Sequence, residues 1–217
     1  MGGGRPRGSD RRLSEIAARY DRLARVYPYL EPLYLIFGPA RRKAVEALGL
    51  GPGDVVLEMG CGTGKNFQYL TGAVGPSGGI IGVDASSRSL AEARRLSDTR
   101  GWNNIELTQQ DVEQLDSNRD VDGVLFSLSY SVIPDPVQAF ELAWGRLRPG
   151  RRAVIMDAGL EDNRLGRLLD PVTKLLIWLA PGNAHSHPWD DLTAYGTVEM
   201  ERFLLGIYFV CIVTKPA

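Results

Sequence analysis

Cysteine, histidine and long apolar runs are scarce in this 217-residue sequence, and each scarcity excludes a class of protein. The two cysteines, Cys61 and Cys211, lie far apart without a CxxC or Cys/His spacing, which argues against a disulfide scaffold or a zinc site. The two histidines, His185 and His187, form an isolated H-x-H, so no metal site is predicted. No window reaches the ~18–20 apolar residues of a membrane span, and no signal peptide is visible. We therefore expect a cytoplasmic protein.

The composition is that of a globular protein, with 44% hydrophobic and 24% charged residues. A net charge of -1 gives no general attraction to nucleic acid, so no nucleic-acid partner is predicted. Residues 1–10 are nearly all Gly, Arg and Pro, which predicts a disordered tail. The remaining residues, 11–217, fit a single domain.

Strand and helix patterns alternate along the middle of the chain. Strands are predicted at 54–59, 79–83, 104–108, 121–127 and 152–157, with helices at 65–72, 86–97 and 136–147 and a short helix or loop at 112–116. Such alternation predicts parallel strands joined by right-handed crossovers. Two β-rich runs, 198–203 and 207–214, predict a final hairpin about Leu204-Leu205-Gly206. The expected fold is α/β, a Rossmann-like doubly wound seven-stranded sheet, mostly parallel with a C-terminal antiparallel β-hairpin.

Segments on either side of this cofactor-binding core, 54–157, complete the predicted domain. An N-terminal helical lid is expected over 11–48, where helical spacing begins near Arg11, is interrupted by Pro28 and Pro32, and resumes over 40–48. Residues 158–217 are expected to supply a substrate-side amphipathic helix over 164–179, a loop over 181–188, a short helix over 189–195 and the hairpin.

The most informative stretch runs from Val55 to Gly64, reading VVLEMGCGTG. An apolar strand ends in Glu58 and a turn in which alternate residues are glycine, and a helical pattern follows. Glycines remove Cβ atoms where a strand turns into a helix, so a ligand can lie against bare backbone near the positive helix end. This pattern predicts a nucleoside cofactor.

Acidic and hydroxyl residues end the neighbouring strands at the same predicted edge. Asp84 follows the second strand about 20 residues beyond the glycine loop, where an acid can accept ribose hydroxyls. Asp111 follows the third strand, where a carboxylate can accept an exocyclic adenine amine. Residues 127–130 follow the fourth strand and would form the floor of the pocket. The alternative for each acid is a helix cap or a surface turn.

Five ordered segments, LEMGCGTG, GVD, QQDVEQL, DGVLFSLSYSVIPDP and LRPG, together resemble the class I S-adenosylmethionine-dependent methyltransferases. The resemblance covers roughly residues 40–157, and its G-x-G-x-G spacing differs from the G-x-G-x-x-G of a dinucleotide enzyme. It implies S-adenosyl-L-methionine as the cofactor. The cofactor-binding residues that it implies are Glu58, Gly60, Cys61, Gly62, Gly64, Asp84, Ala85, Asp111, Val112 and Ser127.

The first 25 residues are basic, with seven Arg against three acids. With Leu13, Ile16 and Ala17 on one face, they are typical of a basic amphipathic helix, which can lie on anionic lipid. Peripheral membrane contact through residues 11–27 is one interpretation. A lid helix that covers the cofactor and has solvated arginines is the other.

The segment from Tyr20 to Tyr27, with Phe37-Gly38-Pro39 and Arg41-Arg42, resembles small methyltransferases of quinones and phospholipids, above all bacterial phosphatidylethanolamine N-methyltransferases. The resemblance implies a phospholipid amine as acceptor, and a quinone or other aromatic molecule methylated on C or O as the alternative. A non-catalytic cofactor-binding module is a further alternative. The acceptor-positioning candidates are Tyr20, Tyr27, Tyr130 and His185, because aromatic faces attract methylated ammonium and a lid histidine can act as a base. Core packing and an ordinary surface loop are the structural alternatives.

Overall fold

A computed structural model describes residues 31–116, 118–158, 188–203 and 208–217, with side chains described outside 31–37 and 158. The predicted helix from Arg11, the helix over 164–179, the loop over 181–187 and the hairpin turn therefore lie outside the described residues, as do Tyr20, Tyr27 and His185.

The described strands form one seven-stranded sheet in the order β3-β2-β1-β4-β5-β7-β6. Its strands are β1 (Val55–Met59), β2 (Gly79–Asp84), β3 (Ile105–Gln109), β4 (Val121–Ser127), β5 (Leu147–Ala158), β6 (Thr197–Phe203) and β7 (Tyr208–Thr214). Neighbouring strands from β3 to β5 run parallel, whereas β7 is antiparallel to both β5 and β6. This confirms the predicted fold class, including the antiparallel C-terminal strands.

Helices cover both faces of the sheet. The described helices are α1 (Glu31–Ala47), α2 (Phe67–Val74), α3 (Ser87–Arg100), α4 (Pro136–Arg146) and α5 (Pro188–Asp191). Buried side chains of α1, α2 and α3 pack on one face, and those of α4 pack on the other around Phe140. Both faces of β1 and β4 are therefore buried, which explains why most residues of these strands are apolar.

Two local predictions need correction. Helix α1 spans Glu31–Ala47, so the expected interruption at Pro32 is wrong, and Pro39 lies within the helix. A proline removes one backbone donor, and this cost is outweighed here by packing of Ala40 and Ala44 against the sheet. The turn predicted at 148–150 is part of the span of β5, which pairs with β4 across a register shift between Val121 and Gly123.

The sheet order reverses between β1 and β4, which lie side by side although two strands separate them in sequence. In an open parallel sheet, ligands bind outside the carboxyl ends of the strands at such a switch point. The carboxyl ends of β1, β2 and β4 carry Glu58, Asp84 and Ser127. The topology therefore gathers the predicted site residues at one edge.

Candidate cofactor site

The glycine loop after β1 has left-handed backbone at every second residue. The φ angles of Gly60, Gly62 and Gly64 are 71°, 54° and 76°. An added Cβ would lie 2.7 Å from Cβ of Ser129 at Gly60 and 2.6 Å from the Phe67 ring at Gly64, so these glycines allow close packing within the protein. At Gly62 an added Cβ would meet no atom of the described residues within 4 Å. Gly62 is therefore the position whose bare backbone faces open space.

Asp84 fixes the same loop from the end of β2. Its Oδ2 accepts a hydrogen bond from the Gly62 N–H at 2.8 Å, and its Oδ1 accepts one from the Ser86 N–H at 2.8 Å. Burial raises the pKa of the Asp84 carboxyl, and the hydrogen bonds from Ser86 and Gly62 oppose that rise. Each carboxylate oxygen has a second lone pair, so the group retains acceptor capacity for ligand hydroxyls.

The alternative of Asp84 as the helix cap is not what the structure shows, because Ser86 caps α3. The Ser86 side chain accepts a hydrogen bond from the Ser89 N–H at 3.1 Å. Ala85 stands half-buried between the two, next to the loop. Asp84 instead connects the end of β2 to the middle of the glycine loop.

Asp111 and Val112 lie beyond the end of β3 and are buried. Asp111 Oδ1 accepts a hydrogen bond from the Glu113 N–H at 3.0 Å and so caps a single 3-10 turn, Val112–Gln114. Asp111 therefore caps a turn, but because it is buried it is not the surface turn residue of the alternative interpretation. A carboxylate next to an apolar wall is suited to an amino-substituted aromatic ring.

A buried polar network lies under the glycine loop. Glu58 and Asn66 are each 1% exposed, and Arg41, which reaches in from α1, is 7% exposed. Asn66 Nδ2 donates to Glu58 Oε1 at 2.5 Å, and Arg41 Nη1 donates to Asn66 Oδ1 at 2.9 Å and to Ser127 Oγ at 3.2 Å. The network joins α1, the glycine loop and β4, and Ser127 takes its predicted place in the floor of the site.

Burial raises the pKa of Glu58 to about 7, against the lowering effects of the Asn66 hydrogen bond and the Arg41 charge. Desolvation disfavours the charged carboxylate, whereas a nearby cation favours it. Glu58 is thus a carboxyl group close to its midpoint at neutral pH. A ligand cation would shift it to the ionised form.

Cys61 lies inside the loop with a buried thiol. Burial raises the pKa of Cys61 well above its usual value, and the charges of Glu58 and Asp84 add to the rise. A neutral buried thiol is a poor nucleophile, so Cys61 contributes shape and apolar surface to the loop.

The segment after β4 makes a tight turn against the glycine loop. Leu128 has a φ of 55°, unusual for a residue with a side chain, and Ser129 Oγ donates to the Met59 carbonyl at 2.7 Å. Backbone strain of this kind is concentrated at functional sites. The turn holds Ser129 against Gly60, which keeps the two loops of the switch point together.

Tyr130 lies in the core rather than at an open surface. Its ring is fully buried, edge-to-face with Phe126 at 5.6 Å between centroids. Burial raises the pKa of its hydroxyl strongly, with the charge of Asp191 adding to the rise. This placement matches the core-packing alternative, and a role for Tyr130 in contacting the acceptor stays a prediction.

Arg41 and Asn66 are site residues that the sequence reasoning did not assign. Asn66 follows Gly64 by two residues, and Arg41 belongs to the Arg41-Arg42 pair noted in the sequence. No pattern in the sequence predicts that either side chain is buried. Only the packing of α1 against β4, β5 and β7 shows that Arg41 is buried and Arg42 exposed.

The residues present fit S-adenosylmethionine. The backbone N–H of Gly62 is bonded to Asp84, and Glu58 is close enough to act electrostatically on Asp84 and Cys61. The two carboxylates can meet the ribose and the cationic parts of that molecule. A carboxylate under the glycine loop would repel the pyrophosphate of a dinucleotide. The sheet order, the reversed β7 and the G-x-G-x-G loop define the class I methyltransferase fold.

Comparison with known proteins agrees with this class. A family model described as "Methyltransferase domain" matches residues 56–150, from β1 to the start of β5. The predicted resemblance to the class I S-adenosylmethionine-dependent methyltransferases is confirmed. S-adenosylmethionine is accordingly the cofactor that the family assigns to this site.

Three similar proteins show the range of the family. A 2-phytyl-1,4-naphtoquinone methyltransferase of Thermosynechococcus vestitus is 31% identical over 149 residues, covering 67% of this chain and 65% of that protein. Its namesake from Trichormus variabilis is 29% identical over 205 residues, covering 89% and 85%. A solved Haemonchus contortus phosphoethanolamine N-methyltransferase 2 has a TM-score of 0.69 at 14% identity, covering 83% of this chain and 53% of that one.

The match to this chain spans 37%, 28% and 65% of the lengths of the first three curated relatives. The structural likeness at 14% identity shows the shared fold. None of the described helices is both long and apolar enough to cross a membrane.

Proposed function

We propose that this protein transfers a methyl group from S-adenosylmethionine to a small, largely apolar acceptor, with the reduced ring of a prenylated quinone as first candidate. The observation that carries the transfer activity is the open backbone face of Gly62 beside the Asp84 carboxylate, with Glu58 close enough to act electrostatically on Asp84. The quinone acceptor is supported by relatives, several of which are named as naphthoquinone or demethylmenaquinone methyltransferases.

Each part of the cofactor has a candidate partner among the described residues. Asp84 accepts hydrogen bonds from the ribose hydroxyls, and Asp111 accepts one from the adenine amine beside Val112. Glu58 attracts the cationic methionine end. Gly62 allows that end to lie against the backbone. These roles follow the family pattern and agree with the charge and burial of each residue.

When bound, S-adenosylmethionine supplies an electrophilic methyl group, which the acceptor takes as the carbon–sulfur bond breaks and a neutral thioether leaves. The protein therefore needs to align the acceptor and exclude water more than to supply a nucleophile. A hydroquinone ring carbon loses a proton as it gains the methyl group. A base on the acceptor side is accordingly required.

A phospholipid amine, the acceptor first implied by the N-terminal sequence, stays a prediction. The phosphoethanolamine enzyme of known structure shares the fold at 14% identity, which carries no substrate information. The quinone relatives share more sequence, and one aligns over 89% of the chain. The quinone acceptor is therefore the better supported of the two.

The test is a transfer assay with S-adenosylmethionine labelled in its methyl group. The acceptors are 2-phytyl-1,4-naphthoquinone kept reduced by dithionite, its oxidised form, and vesicles of phosphatidylethanolamine. We expect label in the reduced quinone and none in the oxidised form, because only the reduced ring is electron-rich. Label in phosphatidylethanolamine instead would replace the quinone as acceptor, and cofactor binding without transfer to any acceptor would favour a non-catalytic module. Asp84→Ala is the matched variant, and at subsaturating S-adenosylmethionine it should reduce the label in the reduced quinone.

A further inference from the structure

The network beneath the glycine loop connects a helix outside the core motif to the cofactor site. Arg41, on α1, is joined through Asn66 to Glu58, and the same guanidinium nitrogen contacts Ser127 at the end of β4. All four side chains are buried. Burying a guanidinium and a carboxylate is costly, so their persistence here suggests a role beyond packing.

The charges of Arg41 and Glu58 determine the direction of the hydrogen bonds that Asn66 makes to them. A guanidinium can only donate and an ionised carboxylate can only accept. Asn66 must therefore turn its carbonyl oxygen to Arg41 and its amide nitrogen to Glu58, as the structure has it. The hydrogen bond from the Asn66 amide nitrogen to Oε1 orients the Glu58 carboxyl group.

The second oxygen of Glu58 is the one that the network leaves without a donor. Oε2 is buried and has no hydrogen-bond partner within the described part of the chain. A buried acceptor without a donor costs about 1–3 kcal/mol, so a ligand donor reaching it gains that amount. The α-ammonium of S-adenosylmethionine is a donor that also carries the complementary charge.

Three charged or titratable groups act on Glu58 from the surrounding elements. The Arg41 charge on α1 lowers its pKa, the Asp84 charge at the end of β2 raises it, and Cys61 in the loop is a neutral thiol. On the far side of Arg41 is Tyr208 of β7, where burial raises the hydroxyl pKa to about 12 and the Arg41 charge opposes that rise. Arg41 is thus the cation that stabilises the ionised Glu58.

We propose that Arg41 is a positioning residue for the cofactor: through Asn66 it holds Glu58 as an oriented, ionised acceptor for the α-ammonium, so that tight cofactor binding requires α1 to be docked. This inference rests on the proposed function for the identity of the ligand. It adds a residue outside the glycine-rich motif to the cofactor site and makes α1 part of that site.

The experiment measures the dissociation constant of S-adenosylhomocysteine by calorimetry from pH 5.5 to 9. This probe has the same amino-acid end as the cofactor without the sulfonium charge. For the wild type, affinity should fall as pH drops through about 7, because protonated Glu58 no longer attracts the ammonium. Any fall at the alkaline end, where the ligand loses its own α-amino proton, should be common to all variants.

The variants are Arg41→Met, Arg41→Lys and Asn66→Ala, with Arg42→Met as control. Arg42 is the next residue of α1, is exposed, and stacks over the Tyr69 ring at 5.9 Å, away from the network. Removing the Arg41 charge should move the acidic midpoint up by about one pH unit, so that binding at pH 6 weakens about tenfold. Arg41→Lys keeps the positive charge, so its acidic midpoint should lie close to that of the wild type.

Asn66→Ala removes the link between Arg41 and Glu58. It should weaken binding and also move the acidic midpoint up, because the Asn66 hydrogen bond both orients the Glu58 carboxylate and lowers its pKa. If Arg41→Met fails to fold, Asn66→Ala still decides the question, since a wild-type pH profile and affinity in that variant would overturn the proposal. Identical acidic midpoints in Arg41→Met and Arg42→Met would overturn it as well. Absence of any binding to the folded wild type would instead refute the proposed function.

Discussion

Replacing Gly62 by alanine should remove cofactor binding while leaving the fold nearly intact. The structure separates this glycine from its two neighbours in the loop, because an added Cβ at Gly62 meets no atom within 4 Å. At Gly64 the same atom would lie 2.6 Å from the Phe67 ring. Among the three loop glycines, and within the described residues, Gly62 alone has open space beside its backbone.

The expected cost to stability comes from the backbone alone. With a φ of 54°, alanine at position 62 adopts a left-handed conformation, which costs about 1–2 kcal/mol. For a domain of this size that cost lowers the melting temperature by roughly 3–6 °C. Binding should weaken by at least about tenfold, or about 1.4 kcal/mol, because the methyl group occupies the cofactor's space.

Gly101 supplies the matched control. It caps the end of α3 with a φ of 68°, and an added Cβ there also meets nothing within 4 Å. Thermal unfolding and calorimetric titration with S-adenosylmethionine should therefore show similar melting temperatures for Gly62→Ala and Gly101→Ala, with binding lost only in the former. Wild-type affinity in Gly62→Ala would refute the placement of the cofactor against this loop.

Three other predictions concern the cofactor, the opposite edge of the sheet and the N-terminus. Asp84→Ala should weaken S-adenosylmethionine binding by about 1–3 kcal/mol in calorimetry, and unchanged affinity would remove Asp84 from the site. Asp122 accepts from the Val55 N–H and from Arg148, and these contacts outweigh burial and lower its pKa. Its contribution is present above the unfolded pKa of about 3.9 and is lost as pH falls through the lower folded pKa. Asp122→Asn should thus cost about 1.5–3 kcal/mol in urea unfolding at pH 7 and distinctly less near pH 2, a difference whose absence would contradict the assignment. Deleting residues 1–25 should reduce sedimentation with anionic vesicles while the core stays folded, and unaltered sedimentation would exclude this segment as a membrane contact.

The regular part of the fold follows from local patterns in the sequence. The strand predicted at 121–127 matches β4 at both ends, since burial on both faces makes most of its residues apolar. The helix predicted at 136–147 is confirmed as Pro136–Arg146, where Asp135 caps the first turn by accepting from the Gln138 N–H. Caps and apolar runs are local features, so a single sequence shows them.

The site was predictable only where one residue carries a local signal. Asp84 stands out because it ends a strand beyond a glycine loop, and the structure places its carboxylate on the Gly62 N–H. Arg41 carries no such signal. Its partners Asn66 and Ser127 are 25 and 86 residues away in sequence, and only the packing of α1 on the sheet brings them together. Long-range polar contacts of this kind have no period or spacing to reveal them.

Calorimetric titration of the wild-type protein with S-adenosylmethionine, beside NAD under the same conditions, tests the assignment of the cofactor most directly. We predict saturable binding of one S-adenosylmethionine per chain and no binding of NAD, whose pyrophosphate the buried Glu58 would repel. Binding of NAD in preference to S-adenosylmethionine, or of neither molecule, would contradict that assignment.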